Sequence, residues 1–268
     1  MGLVRYFEEP ELRGPVMVIG LRGWPDGGRV SSGSVSYLIS KLSAKRFAEI
    51  DSSGFYDLTL KRPYVKYRKG VIMEYQLPDN TFHYVGDVLD GGLILFLGEE
   101  PSFRWFEYVD ALLEVIRRFS VSRVFTVGGL LDRIPHTVEP VVTFSTNSAE
   151  EAARLSRLEM DATDYEGPSS VHSLILYRLK QERIVALSLW GHSPYYLSGM
   201  DLQTIYHVVK RLSELIGLEV DLNDLKLECD AFRERLDSEV KSNEELRNVV
   251  AELENEYYLS RRRPYYVS

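Results

Sequence analysis

Four short apolar runs constrain this chain more than any other feature: VMVIGL at 16–21, GLILFLG at 92–98, RVFTVGG at 123–129 and RIVALSLW at 183–190. Each is flanked by or contains glycine or proline, and each is too short for an ordinary helix. Each is nearly continuous in apolar residues, as in a strand covered on both faces. Helical spacing follows them, so the chain reads as βα units feeding a buried, largely parallel sheet. After the second run, Phe103, Phe106, Val109, Leu113 and Ile116 recur three and four residues apart, with Ser102 placed as an N-cap. That face is expected to pack on the sheet. Residues 148–160 open on a capping box, Ser148 with Glu151. Residues 171–182 read as a helix, and 199–217 end in a glycine suited to a C-cap.

Two stretches have a different texture. Residues 55–86 alternate apolar and polar residues around the turn signals Lys69-Gly70 and Pro78-Asp79-Asn80, which predicts an antiparallel meander inserted after the first βα unit. Residues 222–258 are charged and lack glycine and proline. Cys229, Leu236, Asn243, Val250 and Tyr257 stand seven apart, with Leu225, Phe232, Glu239, Leu246 and Leu253 on the companion heptad position. The seam is polar in the middle, where Ser242 and Glu245 form another capping box, so two helices joined at 241–243 are expected. They serve either as surface helices or as a coiled-coil oligomerisation element. The expected organisation is a three-layer α/β/α core with a mixed, largely parallel sheet over 1–220, a helical extension over 221–260 and a basic, aromatic tail over 261–268.

Composition narrows the function. With 44% hydrophobic residues the chain can bury a sizeable core, and its net charge of −8 repels a nucleic-acid backbone. The basic run that stands out is Arg261, Arg262 and Arg263, and no nucleic-acid partner is expected. A lone Cys229 offers neither an internal disulfide nor a cysteine zinc cluster, which fits a reducing, cytoplasmic setting. No apolar run approaches the roughly 18 residues of a membrane span, and the N-terminus lacks a signal-peptide core.

The loops after the four runs carry the candidate chemistry. GWPDGG at 23–28 lies between a strand and a helix, where free N–H groups and the helix dipole favour anions. It has neither a G-x-G-x-x-G pattern nor a P-loop lysine. The mechanical reading is a turn: Pro25 fixes a torsion, Gly27 and Gly28 allow positive φ, and Asp26 accepts turn or cap hydrogen bonds. Trp24 is a candidate anchor for a protein partner. GEEPSFRW at 98–105 adds Glu99, Glu100 and Trp105; if its strand neighbours the first, the carboxylates join Asp26 as a metal or acid–base set, or they answer a helix dipole. Asp132, Arg133 and His136 follow the third run, His192 and Ser193 the fourth. All four loops emerge at the C-terminal edge of a parallel sheet, where ligand crevices form. GHSPY is not a nucleophile elbow, and the histidines read first as structural hydrogen-bonding residues, so no catalytic residue, metal or cofactor is assigned.

Taken in order, GWPDGG, FYDLTLKRP at 55–63, GEEPSFRW, GGLLDRIPHT, YEGP at 165–168 and GHSPYYL resemble the signatures of the proteasome assembly chaperone 2 family over residues 15–220. The resemblance implies an α/β/α core similar to nucleoside phosphorylases with a helical C-terminal part. It also implies ATP-independent help in assembling the proteasome core particle, contact with its α-subunits, and action as a homo-oligomer or heterodimer. Some archaeal members end in a hydrophobic-Tyr-any tail. Here the last three residues are Tyr266, Val267 and Ser268, so the tyrosine stands third from the end, and Tyr265 with Tyr266 is a candidate flexible contact. The expected function is non-enzymatic, through surfaces and homo-oligomerisation. The alternative is a small-molecule hydrolase or phosphorylase using Asp26, Glu99, His136 and His192.

Overall fold

The computed structural model describes residues 2–262, with side chains described to residue 259. The four apolar runs become four adjacent parallel strands at the centre of a nine-stranded sheet. In spatial order they are β7 (Leu93–Glu99), β2 (Val16–Arg22), β8 (Arg123–Asp132) and β11 (Val185–Pro194). Successive side chains of a strand point to opposite faces, so an unbroken apolar run needs cover above and below. On one face Met17, Ile19, Phe96 and Val124 pack against α2 (Trp105–Arg118) and α4 (Val171–Gln181). On the other, Val18, Leu95, Phe125 and Leu189 pack against α1 (Val30–Lys41), α3 (Ala149–Arg157) and α5 (Leu202–Ile216). The result is the three-layer α/β/α arrangement with a mixed, largely parallel sheet.

Short strands flank this centre, and the pattern anticipated only one of them, within the 55–86 meander. Beyond β7 lie β6 (Thr81–Val85), β3 (Lys45–Ile50) and β1 (Val4–Tyr6), all antiparallel; beyond β11 lie β9 (Val142–Thr146) and β10 (Asp161–Ala162). The expected meander divides. β4 (Tyr64–Arg68) and β5 (Val71–Gln76) form a separate two-stranded ribbon, whereas β6 joins the main sheet between β3 and β7. The ribbon turns at Lys69 and Gly70, with φ of 49° and 79°, the positive pair that suits right-twisted strands.

Several helix ends match their sequence signals. Ser148 Oγ accepts the Glu151 amide at 3.3 Å, and α5 ends on left-handed Gly217. Helix α2 differs: it starts after a left-handed Arg104 with no side-chain cap, and Ser102 plays no part. Phe103 and Phe106 are exposed: the buried stripe of the helix begins at Tyr108, and before it Trp105 packs, partly buried, against the core. At the C-terminus, α6 (Asn223–Ser242) and α7 (Glu244–Arg262) are separated by an extended Asn243. Asn243 Oδ1 accepts the Leu246 amide at 3.2 Å, so the cap falls one residue after the expected Ser242. Leu236 and Val240 of α6 meet Val250 of α7, along with Tyr196 and Leu197 of the core.

Candidate functional site

Neighbouring strands β2 and β7 send their following helices to opposite faces, α1 to one and α2 to the other, which makes their C-terminal ends a topological switch point. A cavity of about 670 Å³ opens there, lined by Arg22, Asp26, Arg29, Ser32, Lys61 and Glu99 against an apolar wall that includes Leu202, Ile205 and Leu225. Asp26 and Glu99 thus share a site that their sequence positions left conditional.

The loop at 23–29 is built by a local divergence of strands. β2 and β8 pair only as far as Gly20 with Val127, which leaves the Leu21 amide without a strand partner. Ser31 of α1 fills the gap: its Oγ accepts that amide at 2.9 Å and donates to the Val127 carbonyl. Beyond it the backbones cross closely, with the Gly129 amide on the Pro25 carbonyl at 2.8 Å. A Cβ on Gly27 would lie 2.9 Å from the Leu130 and Leu131 backbone, so glycine is required there for proximity. Gly28 alone of the pair takes the positive φ expected of both, at 60°.

Asp26 Oδ1 accepts the Ser32 amide at 2.9 Å and Oδ2 accepts the Ser32 hydroxyl at 2.7 Å. Its carboxylate sits on the N-terminus of α1, where an incoming phosphate would bind. The same device recurs twice. Glu100 Oε1 accepts the Val171 amide at the start of α4 at 2.9 Å, and Oε2 accepts the Trp24 amide at 3.3 Å. Asp201 Oδ1 accepts the Gln203 and Thr204 amides of α5 at 3.1 and 3.2 Å. Burial raises the pKa of Asp26 and of Glu100, with the amide hydrogen bonds opposing it. Three helix N-termini at this edge are therefore filled by the protein's own carboxylates.

Glu99 is buried and paired with Lys61. Behind it lies a polar network: the Tyr108 hydroxyl donates to Asn80 Oδ1 at 2.9 Å, Asn80 Nδ2 donates to the Tyr56 hydroxyl at 2.7 Å, and that hydroxyl donates to the Glu99 carbonyl at 3.0 Å. Sequence reasoning missed Asn80, Tyr56 and Tyr108 as a set. The local signals were the tyrosine of FYDLTLKRP and the asparagine of the Pro78-Asp79-Asn80 turn. Among the described residues no three His, Cys, Asp or Glu side chains converge on a point that would hold a metal ion.

The histidines do not line the switch-point cavity. His192 Nδ1 lies 2.8 Å from Asp132 and Nε2 lies 3.1 Å from the Thr143 hydroxyl, and the Asp132 carboxyl is held below its usual range by that histidine. His136 Nδ1 contacts the Tyr196 hydroxyl at 2.6 Å and Nε2 contacts Asp237 of α6 at 3.1 Å; burial lowers its pKa. Arg133 reaches Glu252 and Glu256 of α7 at 3.1 and 2.8 Å, and Thr137 donates to Glu254 at 2.5 Å. The polar residues after β8 thus clamp the α6–α7 pair against the edge. Ser193 Oγ is buried beside Gly28 without a hydrogen-bond partner among the described residues.

The large apolar side chains exposed at the edge are Leu131, Met200 and several aromatics. Trp24, Phe103 and Phe106 are 64%, 52% and 62% accessible, whereas Trp105 turns inward and donates Nε1 to the Pro101 carbonyl at 2.7 Å. Tyr265 and Tyr266 lie outside the described residues. No helix among those described is long and apolar enough to cross a membrane.

These features define a three-layer α/β protein in which three helix N-termini beside the switch-point crevice are capped by its own carboxylates. The sequence model of the PAC2 family matches residues 20–240, and the chain belongs to that family. A PAC2 family protein from Streptomyces avermitilis is similar at 29% identity and a TM-score of 0.78, over 89% of this chain and 99% of that one. A proteasome-assembly chaperone homologue from Mycobacterium tuberculosis is similar at 28% identity and a TM-score of 0.80, over 88% and 99%. PbaB of Pyrococcus furiosus, an archaeal proteasome activator, is similar at 25% identity and a TM-score of 0.70, over 88% and 97%. No curated protein matches the chain in sequence.

Proposed function

We propose that this protein is a non-enzymatic, proteasome-assembly-chaperone-like factor of the cytoplasm. It self-associates and holds core-particle α-subunits through its strand-edge surface, without ATP or another cofactor. The observation that carries this reading is the pairing of an exposed aromatic rim, Trp24, Phe103 and Phe106, with an edge whose anion-binding amides are already occupied by Asp26, Glu100 and Asp201. Exposed aromatics on rigid corners supply interface energy, and occupied cradles leave little for a phosphate to bind. The similarity to an assembly chaperone homologue and to a proteasome activator supports the same partner. In a pulldown with proteasome α-subunits, the wild type is expected to capture them and Trp24→Ala with Phe106→Ala to lose capture at least tenfold. Removing residues 263–268 tests Tyr265 and Tyr266 in the same assay. A wild type that neither captures α-subunits nor alters their assembly sinks the reading.

The switch-point cavity, at about 670 Å³, favours a second reading, a small-molecule site, since it falls within the roughly 300–1,000 Å³ of ordinary ligand pockets. Nucleosides, nucleotides or phosphate bound only by the native state would raise its melting temperature. No shift at millimolar ligand rejects that reading.

A further inference from the structure

Helix capping leaves part of the charge in the switch-point cavity unexplained. Asp26 is spent on the Ser32 amide and hydroxyl, and Glu99 is spent on Lys61. Two guanidinium groups of the lining have no such match. Arg22, at the end of β2, favours the ionised form of Asp26 through space, yet neither it nor Arg29 has an ion pair or a side-chain hydrogen bond among the described residues. Glu228 of α6 is the one carboxylate of the described lining in the same condition. Two free cations against one free carboxylate leave a surplus of one positive charge. A guanidinium fork matches the two oxygens of a carboxylate, and an anion held by these side chains has no need of the α1 amides that Asp26 occupies.

The other lining residues fix what the anion is attached to. Met200, Leu202 and Ile205, at and just before the start of α5, form an aliphatic wall with Leu225 of α6. Asp224 accepts the Tyr37 hydroxyl at 2.8 Å and pairs with Lys41 at 2.9 Å, which ties α6 to α1 beside that wall. Tyr37 is the one aromatic ring among the described lining residues, and its hydroxyl is committed to Asp224. The cavity thus lacks the rings on which a nucleobase stacks, and its single surplus charge is too small for a polyphosphate. At about 670 Å³ it has room for an aliphatic body as well as a charged head.

We propose that the cavity binds a small aliphatic monocarboxylate, its head on Arg22 and Arg29 and its chain against Leu202, Ile205 and Leu225. This rests on the small-molecule reading of the cavity and names its ligand class. Arg29 adds a backbone observation. It is left-handed, with φ 51° and ψ 30°, a conformation that strains a residue with a β-carbon and that glycine adopts freely. The chain keeps an arginine where glycine would be easier, and what it gains is a free guanidinium on the cavity lining.

Calorimetric titration of the full chain with octanoate, alongside its melting temperature, tests the proposal. The wild type is expected to bind octanoate and to melt higher in its presence, while acetate leaves it unmoved. Affinity is expected to fall about fourfold for each methylene removed, through hexanoate to butanoate. Octanol, which keeps the chain without the charge, is expected to bind at least tenfold more weakly than octanoate. Arg22→Gln and Arg29→Gly are each expected to weaken octanoate at least tenfold with an unchanged circular dichroism spectrum, and Arg29→Gly to melt no lower than the wild type. Octanol as tight as octanoate, or octanoate binding that survives both arginine changes in one chain, overturns the proposal. So does a wild type that octanoate leaves unmoved while a nucleotide raises its melting temperature, an outcome that keeps the small-molecule reading. A wild type unmoved by octanoate, nucleosides, nucleotides and phosphate alike overturns both.

Discussion

His172 lies fully buried between α4 and the sheet, its ring 5.5 Å from that of Trp190 and neither nitrogen hydrogen-bonded among the described residues. Burial drives its pKa from 6.5 to about 3, so the fold holds it neutral. Between those two values the unfolded chain binds the extra proton, and native stability falls as pH drops from 6.5 towards 3; above 6.5 the full contribution is present. The slope amounts to about 1.4 kcal/mol per pH unit for one proton. His172→Leu is expected to remove that slope and to raise stability at neutral pH by about 1 kcal/mol, since an unpaired buried polar group is replaced by an apolar one. Urea unfolding at pH 5 and pH 7 measures both. Asp26 behaves oppositely as a residue that earns its burial through contacts: Asp26→Ala is expected to cost about 1 kcal/mol by uncapping α1, and Asp26→Asn, which keeps an acceptor for the Ser32 amide, markedly less. The same urea titrations rank the two.

Among the elements, the α6–α7 pair is held by a small apolar cluster and by the residues that follow β8. Leu236→Ala, opening a cavity beside Val240 and Val250, is expected to cost about 2 kcal/mol and lower the melting temperature by about 5 °C in calorimetry. Hydrogen exchange on that variant should quicken in α7 while β8 and β11 keep their protection. The legibility of the elements follows their physics. The four central strands were readable because unbroken apolar runs of that length, punctuated by glycine and proline, have no other comfortable home. The outer strands were not: KRFAEI at β3 carries charge at its open end and is held as much by its neighbours β1 and β6 as by its own residues. At the edge, Asp26 and Glu99 were named but their meeting waited on β2 lying beside β7. Asp237, which His136 meets, and the two glutamates that Arg133 meets stand 101 to 123 residues further on, in helices whose docking no local pattern reveals. Asn80 joined Tyr56 and Tyr108 only through the topology.

Across the whole molecule, charge is segregated: a basic ribbon projects from an acidic body. Salt that shortens the screening length from about 10 Å at 0.1 M to about 3 Å at 1 M is expected to weaken self-association, an effect light scattering across a salt series reads directly.

The carboxylate of Asp26 can also be regarded as a ligand that the chain delivers to itself. Six residues from the amide it binds, it acts at an effective concentration on the order of millimolar, and a free anion must compete with that tether. Asp26→Gly would leave the α1 amides facing an empty pocket of anion size. Acetate or phosphate at roughly ten times that concentration should then raise the melting temperature of the variant and leave the wild type unmoved. The crevice would accept as a visitor the group it now carries as a resident.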